Sequence, residues 1–267
     1  MPTTTASAPA LPATWWPRLS LFEWNDQPWL PSLLWRAETD YLAAAIDLAR
    51  PFTLLAARIG ALCRDAGSDR VVDLCSGGGG PWRHLADEIA AVSGYRPRVT
   101  LTDLRPDPAA FARAGADGHA EPVDARAVPA HLSGVRTMFD AFHHFSPVEA
   151  RAILADAERS RTPIVIAEGV RRSAGNVLAM LLLAPLLTLV LTPRIRPWSG
   201  WRLFVTYVVP LVPLLVTWDG VVSCLRAYRP SELRELTAGL DGHGWEIGEI
   251  RTRGAVVTYL IGKPRRG

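Results

Sequence analysis

Cysteine is scarce in this chain. Cys63, Cys75 and Cys224 are odd in number and far apart, so no paired-ligand spacing exists for a zinc site, and the set fits a reducing compartment better than a disulfide framework. A strong charge imbalance is also missing. A formal net charge of +3 is too small to imply a nucleic-acid partner, and no Lys/Arg run is interleaved with aromatics. The slightly basic balance stays compatible with an anionic membrane surface. Residues 1–13 have no basic residue and no long apolar run. Rich in Thr, Ala and Pro, they read as a disordered lead and not as a secretory signal.

What is present is apolar weight: 49% of 267 residues are hydrophobic, and the excess is concentrated in one region. The length allows one large domain, or a domain with a substantial insertion. The stretch that organises the rest is Val71-Val72-Asp73-Leu74-Cys75-Ser76-Gly77-Gly78-Gly79-Gly80-Pro81. An apolar run ending in an acid, then glycines, then a proline fit for a first helical turn, predicts strand, tight loop and helix start. Such a loop lets a nucleotide-like ligand approach the backbone near free helical amides. A phosphate-cradling loop would need Lys-Ser or Lys-Thr after the last glycine, and Pro81-Trp82 stands there. A dinucleotide fingerprint counted from Gly77 would put Trp82 where a small residue belongs.

With an acid followed by spaced glycines, at Asp73, Gly77 and Gly79, the chain resembles the class I S-adenosylmethionine (SAM)-dependent methyltransferases. It departs from their pattern at Cys75, where a glycine is commonest, though some branches carry cysteine. The resemblance covers about Leu54–Gly169 and Trp218–Lys263. It implies an α/β fold with a doubly wound, seven-stranded Rossmann-like sheet whose last strand is antiparallel, SAM as cofactor, and cofactor contacts at Asp73, Cys75, Gly77 and Gly79. A plain strand-to-helix turn is the other reading of the loop.

Arg98–Asp103 predicts a second strand ending in an acid. A carboxylate there can accept hydrogen bonds from both ribose hydroxyls of a nucleoside, so Asp103 is the leading cofactor contact; capping the next helix is the alternative. Ala120–Ala125 predicts a short third strand, and the resemblance makes Asp124 at its end the partner of the adenine amine. Arg136–Phe145 predicts a fourth strand running into its carboxyl-end loop, with Ser146-Pro147-Val148-Glu149 as a capping box for a helix to about Ser160. The pair His143-His144 thereby falls at the edge where doubly wound sheets bind ligands, and adjacent residues face opposite ways, so at most one should meet substrate. An imidazole suits a general base; a structural histidine is the alternative. Pro163–Ala167 predicts the fifth strand, and Glu168 at its end could orient substrate, act as base, or cap.

Half of the chain's ten tryptophans fall between Trp15 and Trp35, ahead of a helix expected from about Ser32 to Leu48. In the resembled fold such a segment closes over the substrate pocket; core or membrane-interface packing is the other reading. The apolar excess lies in Asn176–Thr192 and Leu203–Thr217, joined by a basic, aromatic connector holding Arg194, Arg196, Trp198, Trp201 and Arg202. At ~1.5 Å per residue both runs fall short of the ~20 residues that cross a bilayer. With their prolines they predict a shallow or re-entrant hairpin on the membrane, or else a lid or dimer interface. Beyond it, Asp219, Arg226 and Tyr228 offer donors and acceptors where substrate arrives in the fold, or Asp219 and Arg226 pair structurally. A helix near Ser231–Leu240 and two strands about Arg253-Gly254 close the chain.

The expected organisation is therefore 1–13 as lead, 14–50 as a Trp-rich cap, 51–170 as SAM-binding core, 171–217 as membrane-associating hairpin and 218–267 as completion of the core. The expected activity is methyl transfer to a lipophilic or membrane-bound acceptor on the cytoplasmic side, with His143, His144 or Glu168 catalytic and no metal required. The alternatives are a soluble cytoplasmic small-molecule methyltransferase, and a membrane-tethered SAM-binding protein without catalysis. Oligomeric state and the acceptor atom stay open.

Overall fold

The computed structural model describes residues 16–251 and 256–265. The expected lead at 1–13, Trp15 and the Arg253-Gly254 turn lie outside them. Among the described residues seven strands form one sheet: β1 (Arg70–Asp73), β2 (Arg98–Leu101), β3 (Asp117–Gly118), β4 (Val135–Phe139), β5 (Ile164–Glu168), β6 (His243–Arg251) and β7 (Val256–Pro264). Their order is β3-β2-β1-β4-β5-β7-β6. The first five are parallel, and β7 runs antiparallel between β5 and β6. The class I methyltransferase fold expected from the sequence is thus present.

Strand alternation sends successive side chains to opposite faces. Val71, Val135, Phe139 and Val165 meet α2 (Ala56–Asp65) and α3 (Trp82–Ser93) on one side. Val72, Met138, Ile164 and Ile166 meet α5 (Pro147–Arg159) and a late helix at Pro230–Thr237 on the other. Buried on both faces, β5 has the apolar run this demands, while β4 carries Arg136 and Thr137 inside it, each satisfied by a carboxylate, Asp156 and Asp73. Because β1 connects to β2 on one side and its other neighbour is β4, the sheet reverses direction of winding between β1 and β4, and ligands of such sheets sit beyond that point.

Two expectations for local structure are corrected. Residues 120–125 are not the third strand; β3 is the earlier pair Asp117–Gly118, reached through a short helix, α4 (Pro108–Ala114), capped by the Asp107 carboxylate and ended at Gly115. The later stretch is a loop containing Pro122, and the Val123 amide donates to the Asp103 carbonyl at 2.9 Å. The hairpin at 171–217 is in fact three helices: α6 (Ala174–Leu191), α7 (Gly200–Tyr207) and α8 (Leu211–Arg226). Its expected end at Thr217 cuts α8, because Trp218–Arg226 continue that helix. Pro210 stands at the 72° bend between α7 and α8, where it cannot donate to a continuing helix.

The helices α6–α8 gather with α1 (Ser32–Ala49) into a third core of Ala37, Tyr41, Ala184, Leu191, Val205, Val212 and Val216. Arg202 belongs to the basic connector by sequence but does not face solvent. It is buried and locks the connector onto α1, donating to Asp40 at 2.7 Å and to the carbonyls of Ile195 and Pro197. Asp40 also takes Arg113 of α4 at 2.8 Å, tying the apolar helices to the sheet's flank. Outward, α6 stays apolar: over Ala174–Arg194 the mean hydropathy is 2.2 and only 17% of the window is buried.

Candidate active site at the carboxyl edge

The glycine loop divides its work. Gly78 and Gly79 serve packing: a Cβ at Gly78 would lie 2.7 Å from the Thr39 carbonyl of α1, and one at Gly79 would lie 2.6 Å from the Ala114 methyl of α4. Gly77, at φ +49°, is the one with open space before it. Cys75 takes a left-handed backbone, φ 56°, the conformation that explains why a glycine is the common choice at this place. Asp73 is fully buried, and its two oxygens accept the hydroxyls of Thr137 at 2.6 Å and Ser76 at 2.7 Å. Burial pushes its carboxyl up to about 6, against those bonds. Asp73 therefore shapes the loop from beneath.

The Gly77 amide donates to Asp103 at 2.8 Å, which joins the tips of β1 and β2. The other oxygen of Asp103 takes the Arg105 amide at 2.8 Å, while the helix that follows is capped by Asp107. Burial raises the Asp103 carboxyl. Asp124 lies nearby on its loop, gripped by Arg126, whose guanidinium keeps its carboxyl below the usual range. Cavities among the described residues include one of about 140 Å³ between Trp82, Arg98 and Gly115 and one of about 10 Å³ beside His84, both away from this edge.

Beyond β4 the chain makes a 3₁₀ turn, Phe142–His144, and Glu168 of β5 reaches it. Glu168 accepts the Phe142 amide at 2.7 Å and stands 2.5 Å from Nδ1 of His143. Burial moves Glu168 up to about 7 and His143 down to about 3, so around neutral pH the imidazole is uncharged. With Nδ1–H directed at Glu168, Nε2 of His143 carries the lone pair. The two histidines do differ as expected: His143 is buried, while His144 is half-exposed, 2.8 Å from Asp26. Burial disfavours charge on His144, but Glu23 and Asp26 outweigh it and raise it to about 9.

The segment 16–31 covers this edge. Arg18 donates to the carbonyls of His143 and Phe145, both at 2.8 Å, and lies over the Tyr228 ring. Asp219 accepts the amides of Trp24 and Asn25 at 2.8 and 2.9 Å. Arg226 pairs with Asp26 at 2.8 Å and Glu23 at 3.2 Å, and the Tyr228 hydroxyl donates to the Phe145 carbonyl. Asp219 and Arg226 do not pair with each other; both hold the segment. The sequence reading missed Glu23 and Asp26, two acids on one short stretch among tryptophans, and Asp140, a strand-end acid like Asp73 and Glu168. Burial, with Glu168 beside it, raises Asp140 to about 7, and it accepts the Gly169 amide at 2.5 Å.

No family model matches the sequence, and no curated protein does. Solved structures similar to the chain include the O-methyltransferase NcsB1 from neocarzinostatin biosynthesis, in complex with SAM and 2-hydroxy-5-methyl naphthoic acid: 18% identity, 87% of this chain and 58% of that one, TM-score 0.49. An O-methyltransferase family protein from Burkholderia thailandensis shares 16% over 86% of this chain and 60% of that one, TM-score 0.45. Human N-acetylserotonin methyltransferase in complex with SAM shares 13% over 87% and 58%, TM-score 0.46. The chain spans about three-fifths of the length of these proteins. With identities of at most 18% and no TM-score above 0.49, they carry no residue role across to it.

Proposed function

We propose that this chain is a SAM-dependent methyltransferase acting on a lipophilic acceptor. The observation that carries the cofactor is the Gly77–Asp103 contact at the switch point of a β3-β2-β1-β4-β5-β7-β6 sheet. It sets an open glycine and a half-buried carboxylate side by side, one for the methionine end of a nucleoside sulfonium and one for the ribose. Asp124, once Arg126 releases it, is placed for the adenine. Asp73 and Gly79 act indirectly, through the shape of the loop. When bound, SAM supplies a methyl group already activated on sulfur.

The chain's own part is alignment, exclusion of water and movement of one proton. His143 takes the acceptor's proton at Nε2, and Glu168 holds the ring and steadies the charge that develops on it. Segment 16–31 covers Nε2, so it is the lid that the acceptor displaces. The lipophilic character of the acceptor is supported by the apolar side of α6, where Leu182, Leu183 and Leu186 are more than half exposed, and by Trp198 and Trp201 at its end. These features favour a membrane-surface enzyme over one that uses α6–α8 as a buried lid.

Calorimetry with SAM and its demethylated product tests the cofactor: binding by the wild type and loss on Asp103→Ala are expected, while unchanged binding in the variant removes the Asp103 assignment. Mass spectrometry of lipid extracts incubated with isotopically labelled SAM tests the acceptor. Label found only in water-soluble products would overturn the lipophilic reading.

A further inference from the structure

Glu23 faces both histidines without a hydrogen bond to either. Its carboxylate oxygens lie 3.9 Å from Nε2 of His143 and 3.6 Å from Nδ1 of His144, and one donor atom from each of the three residues falls within 4.8 Å of the others. Glu23 and His143 are each only 2% exposed. Nε2 of His143 is buried and makes no hydrogen bond, although such groups are normally satisfied because leaving them bare in a dry interior is costly; Oε1 of Glu23 also makes no hydrogen bond, its one close partner being the Arg226 guanidinium at 3.2 Å. The surroundings are acid-rich. Glu23, Asp26, Asp140 and Glu168 converge here, and Arg226 pairs with the first two.

We propose that Glu23, His143 and His144 bind a divalent transition-metal ion that clamps segment 16–31 over the carboxyl edge. Two imidazoles and one carboxylate suit an ion of borderline softness such as Zn²⁺. Around tetrahedral zinc with bonds near 2.1 Å, ligand atoms stand about 3.4 Å apart; His143 lies 3.9 Å from Oε1 of Glu23 and His144 lies 3.6 Å from Oε2, so the three residues draw together by a small movement when the ion binds. Glu168 already provides the carboxylate that orients a ligating histidine, since it holds Nδ1 of His143 and leaves Nε2 facing Glu23. Asp26 gives up its contact with Nδ1 of His144 to the ion, and any proton held between them leaves to solvent. Its other oxygen keeps Arg226.

The bound ion ties a residue of the N-terminal segment to a turn of the sheet far away in sequence. It also occupies the lone pair that methyl transfer would use, so on the reading above the loaded form is the closed, resting one. The metal site itself is independent of that reading. Its test therefore uses no SAM.

Full-length protein stripped with a chelator is titrated with Zn²⁺. The expected result is one equivalent bound, an X-ray absorption spectrum showing two imidazoles with oxygen and no sulfur, and slower amide exchange over residues 16–31. Glu23→Gln should weaken binding at least tenfold with the exchange protection lost. Uptake below half an equivalent, or affinity unchanged in Glu23→Gln, would overturn the proposal. If that variant does not fold, the wild-type spectrum decides, and a first shell of water or sulfur sinks the site. SAM binding measured on the metal-free protein stands or fails separately.

Discussion

The carboxylate of Asp219, on α8, receives the backbone amides of both Trp24 and Asn25 at 2.8 and 2.9 Å. One side chain from the apolar helices thus holds the segment that covers the carboxyl edge, and segment 16–31 and the apolar helices are mechanically joined. Burial raises the Asp219 carboxyl, while those two amides draw it back. Replacing it by Ala leaves two amides without their acceptor, a loss of about 1–3 kcal/mol that falls on the segment. Amide exchange over residues 16–31 should rise at least tenfold in Asp219→Ala while the sheet keeps its protection. Equal loosening of β1 and β4 would mean that the residue supports the whole fold.

The glycines separate by function when each is given a methyl group. Gly79→Ala combines φ +104° with a contact to Ala114, and a loss of about 2–4 kcal/mol is expected. Gly77→Ala has φ +49° and open space, so its loss is about 1 kcal/mol, but its effect on SAM affinity should be the larger of the two. Urea midpoints and calorimetry on both variants make the comparison, and the division of labour fails if the order of the two stabilities is reversed.

Asp73 makes stability depend on pH. Its carboxyl moves from 3.8 to about 6 on folding, so the folded state binds more protons than the unfolded state between these values. The contribution is fully present below the ordinary carboxylate range and is lost as pH rises through about 6. A shift of that size corresponds to roughly 3 kcal/mol. Asp73→Asn should flatten the decline in unfolding free energy between pH 4 and 7; a decline as steep as in wild type would assign the effect to other acids.

The outer face of α6 can be altered without touching a core. Leu182 and Leu186 are 58% and 59% exposed, so Leu182→Glu with Leu186→Glu should change stability by less than about 1 kcal/mol. Flotation with anionic vesicles is expected for wild type and not for the double variant. Flotation of both, or of neither, would count against α6 as the membrane contact.

Much of the sheet was legible in the sequence because a parallel strand buried on both faces must be a short apolar run, and β1, β2, β4 and β5 each end at or near an acid. The capping box at Ser146 and Glu149 forms as its spacing requires. The third strand was misplaced because two residues of edge strand have no pattern to show. The end of the apolar region was misplaced because composition changes at Trp218 while the backbone does not. Glu23 and Asp26 carried only the signal of two acids among aromatics, which a solvated loop would give equally.

The sequence by itself determined the alternation that builds the core, the left-handed turns that the glycine loop needs, and the presence of an apolar surplus too large for the sheet to bury. Those are local properties, set by side-chain volume, backbone sterics and hydrophobicity. Only the tertiary structure decided which carboxylate meets which imidazole. Glu168 reaches His143 because β5 pairs with β4, and Glu23 reaches both histidines because Arg18, Asp219 and Arg226 fold the N-terminal segment back over the sheet. Contacts between groups so far apart along the chain depend on the packing of every element between them, and no local pattern encodes that.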